Sequence, residues 1–164
     1  MIVKPLSDRQ ISRYLAQAVS LAMDNVRAGA GGPFGAIVVY DDVVIGTGVN
    51  TVTATNDPTA HAEVNAIRAA CQKVGRFHLS GGILFASCEP CPMCLAAIYW
   101  ARIPVLFYAA TMDDARLAGF DDRAIWREMV TTPEARLVRT RRIEIAGATE
   151  PFEAWEGAAF KTTY

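Results

Sequence analysis

Three cysteines fall within seven positions in the stretch CEPCPMC, residues 88–94, and a second short stretch, HAE at residues 61–63, sets a histidine two positions before a carboxylate. Cysteines at such spacing serve a metal site, a redox pair or plain core packing. Pro90 and Pro92 bracket Cys91. A proline is favourable at the first helical position, where its missing N–H would have had no partner anyway, so a helix starting at Pro92 with Cys91 as its cap is expected. Cys94 then lies one turn on, on the same face, and the two sulfurs can close on one ion. Cys88 lies upstream of Pro90 in backbone pushed towards extended geometry, and it is not expected to share that face.

Two thiolates do not complete a zinc site, and the chain has two histidines, His61 and His78. His61 and Glu63 fall in the first turn of an expected helix, where side chains tilt towards the N-terminus and can converge beyond the helix end. If both helices aim their N-termini at one point, their positive dipole ends favour thiolates there. Three protein ligands, His61, Cys91 and Cys94, leave the fourth zinc position open to water, which is the coordination of a catalytic site. Because two thiolates cancel the formal charge of the ion, a base is needed beside it. Glu63 can take the water proton and pass it to a leaving nitrogen without binding the metal. H-x-E followed by P-C-x-x-C is the signature of the zinc nucleobase deaminases. A structural zinc module, with Cys88 or another residue as a fourth protein ligand, is the competing reading, but such a site gains nothing from Glu63.

The elements that must position these residues follow from periodicity. Ser7 and Gln10 have capping-box spacing, and Ile11, Leu15, Ala18 and Ala22 recur on one helical face until Gly29. AIVVY and VVIGTG read as strands, with Asp41-Asp42 as a short hairpin turn. Val64, Ile67, Cys71 and Val74 mark a second amphipathic helix ending at Gly75. ILFAS and VLFYAA read as buried strands around the apolar helix PMCLAAIYWAR. Helices are expected near residues 112–119 and 122–130, then a strand over LVRTRRIEI and a short helix within PFEAWEGAAFKTTY. Helices alternating with buried strands predict a three-layer α/β domain that opens with an antiparallel hairpin.

Composition bounds the partners. A chain of 164 residues without repeats fits one domain over residues 1–164, and a domain of this size buries roughly 70% of its unfolded surface without needing disulfides. The N-terminal MIVKPLSDRQ lacks the apolar core of a signal peptide and no apolar run is long enough for a membrane span, so a soluble cytoplasmic protein is expected. The formal net charge of −1 offers no global attraction to nucleic acid.

The chain resembles the cytidine-deaminase-like superfamily, and the wording is most similar to the short bacterial guanine deaminases. The resemblance spans nearly the whole chain, through GGPFGA, NDPTAHAEVNAIRAAC, SCEPCPMCLAAIYWAR, FYAA, GFDD and the aromatic tail ending in Tyr164. HAE and PCPMC fit tRNA adenosine deaminases equally, whereas GFDD and the tail favour a guanine deaminase. The resemblance implies a three-layer α/β/α cytidine-deaminase-like fold with a central mixed five-stranded sheet, and hydrolysis of guanine to xanthine and ammonia. It implies one Zn2+ per subunit on His61, Cys91 and Cys94, Glu63 as proton shuttle, and Asp122 as a further carboxylate for binding or proton transfer. Asn50 would hydrogen-bond the base, and Phe34 and Trp100 would help wall its ring. It also implies a homodimer in which C-terminal tails, about residues 150–164, exchange and carry Tyr164 over the partner's site. Deamination of cytosine, another amino-heterocycle or adenosine in tRNA is the alternative.

Plainer readings stand beside these. Cys71 and Cys88 read as buried thiols, and His78 as a packing or surface histidine. Asn50 is also a natural turn residue, and Asp121 and Asp122 are natural caps for RAIWREMV. Without the resemblance Phe34, Trp100, Trp126 and Trp155 read by default as core aromatics, Tyr164 as a frayed end, and the basic run RLVRTRR as a charged edge strand.

Overall fold

The computed structural model describes residues 5–163; Tyr164 lies outside them. Ser7 caps helix α1 (Asp8–Arg27) through the expected capping box, its hydroxyl accepting from the Gln10 N–H while Gln10 Oε1 accepts from the Ser7 N–H. Strands β1 (Gly35–Tyr40) and β2 (Val43–Val49) form an antiparallel hairpin. Its turn residues Asp41 and Asp42 have φ of 47° and 62°, the paired left-handed conformation that matches strand twist.

A short helix α2 (Val52–Thr55) leads to α3 (Ala62–Val74), capped by His61 and stopped by Gly75 at φ 64°. Then follow β3 (Ile83–Cys88), α4 (Pro92–Trp100) with Cys91 as its cap, and β4 (Val105–Ala110). Helices α5 (Met112–Leu117), α6 (Arg123–Val130) and α7 (Glu150–Gly157) lie beyond the sheet.

The strand order is β2-β1-β3-β4, with β1 antiparallel to both neighbours and β3 parallel to β4. The period of two along β1 and β3 sends their side chains into two cores. Ile37, Val39 and Phe85 meet Tyr14 of α1 on one face. Ala36, Val38, Leu84 and Ala86 meet Ala66 and Ala70 of α3 and Ile98 of α4 on the other. The result is helix, sheet, helix. Phe85 is fully buried between the rings of Tyr14 and Phe107, at centroid distances of 5.0 and 5.3 Å. Burial of each such side chain stabilises the fold by about 1.5–3 kcal/mol.

Gly48 decides where α3 can lie. A Cβ there would collide with the Ala62 carbonyl and the Ala66 N–H, so the helix rests directly on β2. That contact sets the height of His61 at the helix N-terminus.

The sheet has four strands among the described residues, where five were expected. The segment LVRTRRIEI forms no strand, and its apolar side chains face outward, with Leu137 80% and Val138 75% exposed. Arg139, Arg141 and Arg142 interrupt the alternation, so neither face could be buried against a helix layer. Its charge still suits an edge, but it pairs with none here. No helix of the described residues is long and apolar enough to cross a membrane.

Candidate active site

The N-termini of α3 and α4 converge, and their caps supply the reactive groups. His61 has φ −74° and ψ 157° and Cys91 has φ −66° and ψ 169°, extended values that turn each side chain off its helix end. His61 Nδ1 lies 3.4 Å from Cys94 Sγ and 3.6 Å from Cys91 Sγ, and the two sulfurs are 3.5 Å apart. Among the described residues these three are the group whose ligand atoms lie together closely enough for a metal ion.

Zinc bonds of about 2.3 Å to sulfur and about 2.0 Å to nitrogen, disposed tetrahedrally, separate ligand atoms by roughly 3.5–3.8 Å. The observed spacings fit zinc. Cys88, although buried, is not in the cluster; its thiol donates to the Thr111 carbonyl at 3.4 Å.

The electrostatics follow from this packing. Cys91 is held down to about 4 by its hydrogen bond with Cys94, with His61 assisting, and Cys94 is pushed up by the same bond and by burial. The hydrogen bond to Cys91 raises His61. Glu63, only 7% exposed, is raised by burial, which favours a carboxyl that takes up a proton.

His61 and Cys91 of the cluster line a cavity of about 560 Å³. Phe34, Asn50, Glu63 and Asp122 all line it. Asn50 is buried, and its Oδ1 accepts from the Val52 N–H at 3.2 Å, a turn-type contact that leaves the Nδ2 protons for a ligand. The contact is the one the turn reading expects. Asp122 stands at the start of α6 without a side-chain capping bond, and burial next to negative Cys91 raises its carboxyl. Asp121 instead takes the capping role, accepting from the Arg123 N–H at 3.2 Å and from its guanidinium.

Trp100 is not brought to the cavity. It sits at the far end of α4, 67% exposed, in an apolar groove with Ile67, Phe77, Trp155 and Phe160. A nine-residue helix separates it from Cys91, so within one chain it cannot wall a ring held at His61. The aromatic partner of Phe34 is Phe120, with centroids 4.9 Å apart and planes at 87°. Phe120 belongs to GFDD, where nothing in the spacing marks its contact with Phe34. Glu89, Met112 and Ala115 also line the cavity and were not singled out. His78 contacts Ser80 and stacks edge-on with Phe77, as a packing histidine would.

A three-layer α/β fold whose two helix ends present one histidine, two cysteines and a buried glutamate defines a zinc-dependent deaminase. Residues 8–110 match the cytidine and deoxycytidylate deaminase zinc-binding region, and the chain belongs to that family. It is similar to the guanine deaminase of Bacillus subtilis (strain 168), at 50% identity over 151 residues, 92% of this chain and 97% of that protein. The X-ray structure of guanine deaminase from Bacillus subtilis superimposes with a TM-score of 0.91, covering 93% of this chain and 98% of that chain. Guanine deaminase from Nitrosomonas europaea superimposes with a TM-score of 0.65 at 31% identity, covering 73% of this chain and 68% of that one. The tRNA-specific adenosine deaminase of Agrobacterium fabrum is 47% identical over 78 residues, 48% of this chain and 51% of its own length.

Proposed function

We propose that this chain hydrolyses the free base guanine to xanthine and ammonia. The observation that carries the reading is the likeness to the Bacillus subtilis guanine deaminase, which extends over 92% of the chain and therefore through GFDD, whereas that to the tRNA deaminase covers 48%.

Zinc, when held by His61, Cys91 and Cys94, supplies a Lewis acid that acidifies the attacking water. The protein does the rest. Phe34 and Phe120 offer an aromatic wall against which a planar ring can stack. Asn50 Nδ2 donates to a ring acceptor and fixes which edge faces Glu63. Water oxygen bonds to the carbon that carries the exocyclic amine, and the carbon–nitrogen bond breaks. Glu63 takes a proton from the water and delivers it to the departing nitrogen, which leaves as ammonia. Asp122, at the same cavity, is the second carboxylate for binding or proton relay.

The reading extends to a cytoplasmic homodimer working in guanine breakdown, with tails from about residue 150 exchanged so that Tyr164 covers the neighbouring subunit's cavity. Support comes from the apolar side chains left exposed along the C-terminal part, Leu137, Val138, Ile145, Phe152 and Phe160 among them. Trp100, exposed at the end of α4, would meet a ring only across such a subunit boundary.

The test is ammonia release from guanine, cytosine, adenine, cytidine, guanosine and a tRNA anticodon stem-loop, before and after zinc removal. Zinc-dependent turnover led by guanine supports the reading; no ammonia from guanine ends it.

A further inference from the structure

We propose that Glu89 is a positioning residue that fixes the cavity's Phe120–Asp122 wall against the thiolate loop; this deepens the guanine deaminase reading and rests on it. Glu89 sits two residues before Cys91, immediately after β3. Its carboxylate Oε2 accepts from the Met112 N–H at 3.1 Å, and its own N–H donates to the Ala110 carbonyl at 2.9 Å. The Cys88 thiol adds a bond to the Thr111 carbonyl at 3.4 Å. The loop leading to the metal ligands is thus tied to the junction of β4 and α5.

Met112 is the first residue of α5, so its N–H has no intrahelical partner. The local capping box is already closed, because Thr111 Oγ1 accepts from the Asp114 N–H while Asp114 Oδ2 accepts from the Thr111 N–H. Met112 N–H remains for Glu89. A carboxylate at that point also opposes the positive end of the helix.

From α5 the connection to the wall is continuous main chain. Gly119 N–H donates to the Arg116 carbonyl at 2.9 Å and Phe120 N–H to the Ala115 carbonyl at 3.0 Å, so the residue that meets Phe34 is anchored back on α5. Asp121 and Asp122 follow directly. Moving α5 therefore moves Phe120 and Asp122 relative to the cysteines, and the Glu89 carboxylate is the charged tie between the two, beside the weaker thiol bond from Cys88.

The experiment compares Glu89→Ala and Glu89→Gln with the wild type in three measurements: guanine kinetics, zinc content and amide hydrogen exchange at Met112. Glu89→Ala should raise KM about tenfold, the effect of one hydrogen bond to a charged acceptor, with kcat within about threefold. Zinc should stay bound and Met112 should exchange faster. Glu89→Gln keeps an acceptor oxygen, so KM should stay within about threefold of wild type. An unchanged KM in Glu89→Ala, equal damage in Glu89→Gln, loss of zinc, or a Met112 amide unprotected in the wild type would each overturn the proposal. A wild type inert towards guanine would sink the substrate reading alone, and the exchange comparison would still decide the role of Glu89.

Discussion

Asn25 and Asn50 are joined by a buried hydrogen bond, from Asn25 Nδ2 to the Asn50 carbonyl at 2.9 Å. The same amide donates to the Gly32 carbonyl at 2.9 Å, so one side chain of α1 holds the glycine loop and Asn50 together beside the cavity. Gly31 makes the approach possible, since a Cβ there would collide with the Asn50 carbonyl. Asn25→Ala leaves two carbonyls without their donor and should lower stability by about 1–3 kcal/mol, read as a fall in the denaturation midpoint. Asn25→Asp should be worse, because an ionised carboxylate accepts and cannot donate. An unshifted midpoint in both variants would show that the clamp contributes nothing.

Glu63 lies beside the ligands without joining them. Glu63→Gln should therefore retain its zinc, measured by metal analysis after dialysis, while kcat falls by about 10²–10⁴-fold, the usual contribution of a positioned acid–base group. A metal-free variant would reassign Glu63 as a ligand, and a variant with full turnover would move the proton relay to Asp122.

The two buried cysteines of the 88–94 stretch should behave oppositely. Cys94→Ser removes a ligand and should abolish both zinc retention and ammonia release. Cys88→Ser keeps a hydroxyl donor for the Thr111 carbonyl and should retain zinc, with stability changed by about 1 kcal/mol or less. Zinc lost from Cys88→Ser would favour a closed structural site with four protein ligands.

What was legible in the sequence shares a physical character. His61, Cys91 and Cys94 could be read because helix caps are local events: Pro92 and Gly75 mark the ends, and a cap's side chain leaves the helix in a known direction. β1 and β3 could be read because they are buried on both faces and show unbroken apolar runs. Phe120, Glu89 and Asn25 could not, because their roles depend on which loops the sheet brings together. The 137–145 segment misled because a strand needs a neighbour as well as β-forming residues, and its arginines deny it a buried face. Trp100 stands apart from the cavity of its own chain, and a position in the sequence says nothing of which chain's cavity lies nearby.

Two glycines around α3 give a last contrast, since one is required by space and the other by conformation. Gly48 faces the helix backbone, and a methyl group there has no flexible side chain to displace. Gly48→Ala must push α3 off the sheet and carry His61 with it. It should cost about 3 kcal/mol or more, the upper end of overpacking, and zinc affinity should fall with stability. Gly75 has open space around its would-be Cβ but sits at φ 64°. Gly75→Ala should cost about 1–2 kcal/mol from the left-handed backbone alone, and Gly75→Asn less, with zinc retention and KM unchanged in both. Denaturation midpoints measured beside zinc content separate the two cases. If Gly48→Ala keeps wild-type zinc affinity, the α3–β2 contact does not set the position of His61, and the height of the ligand must be fixed from the α4 side.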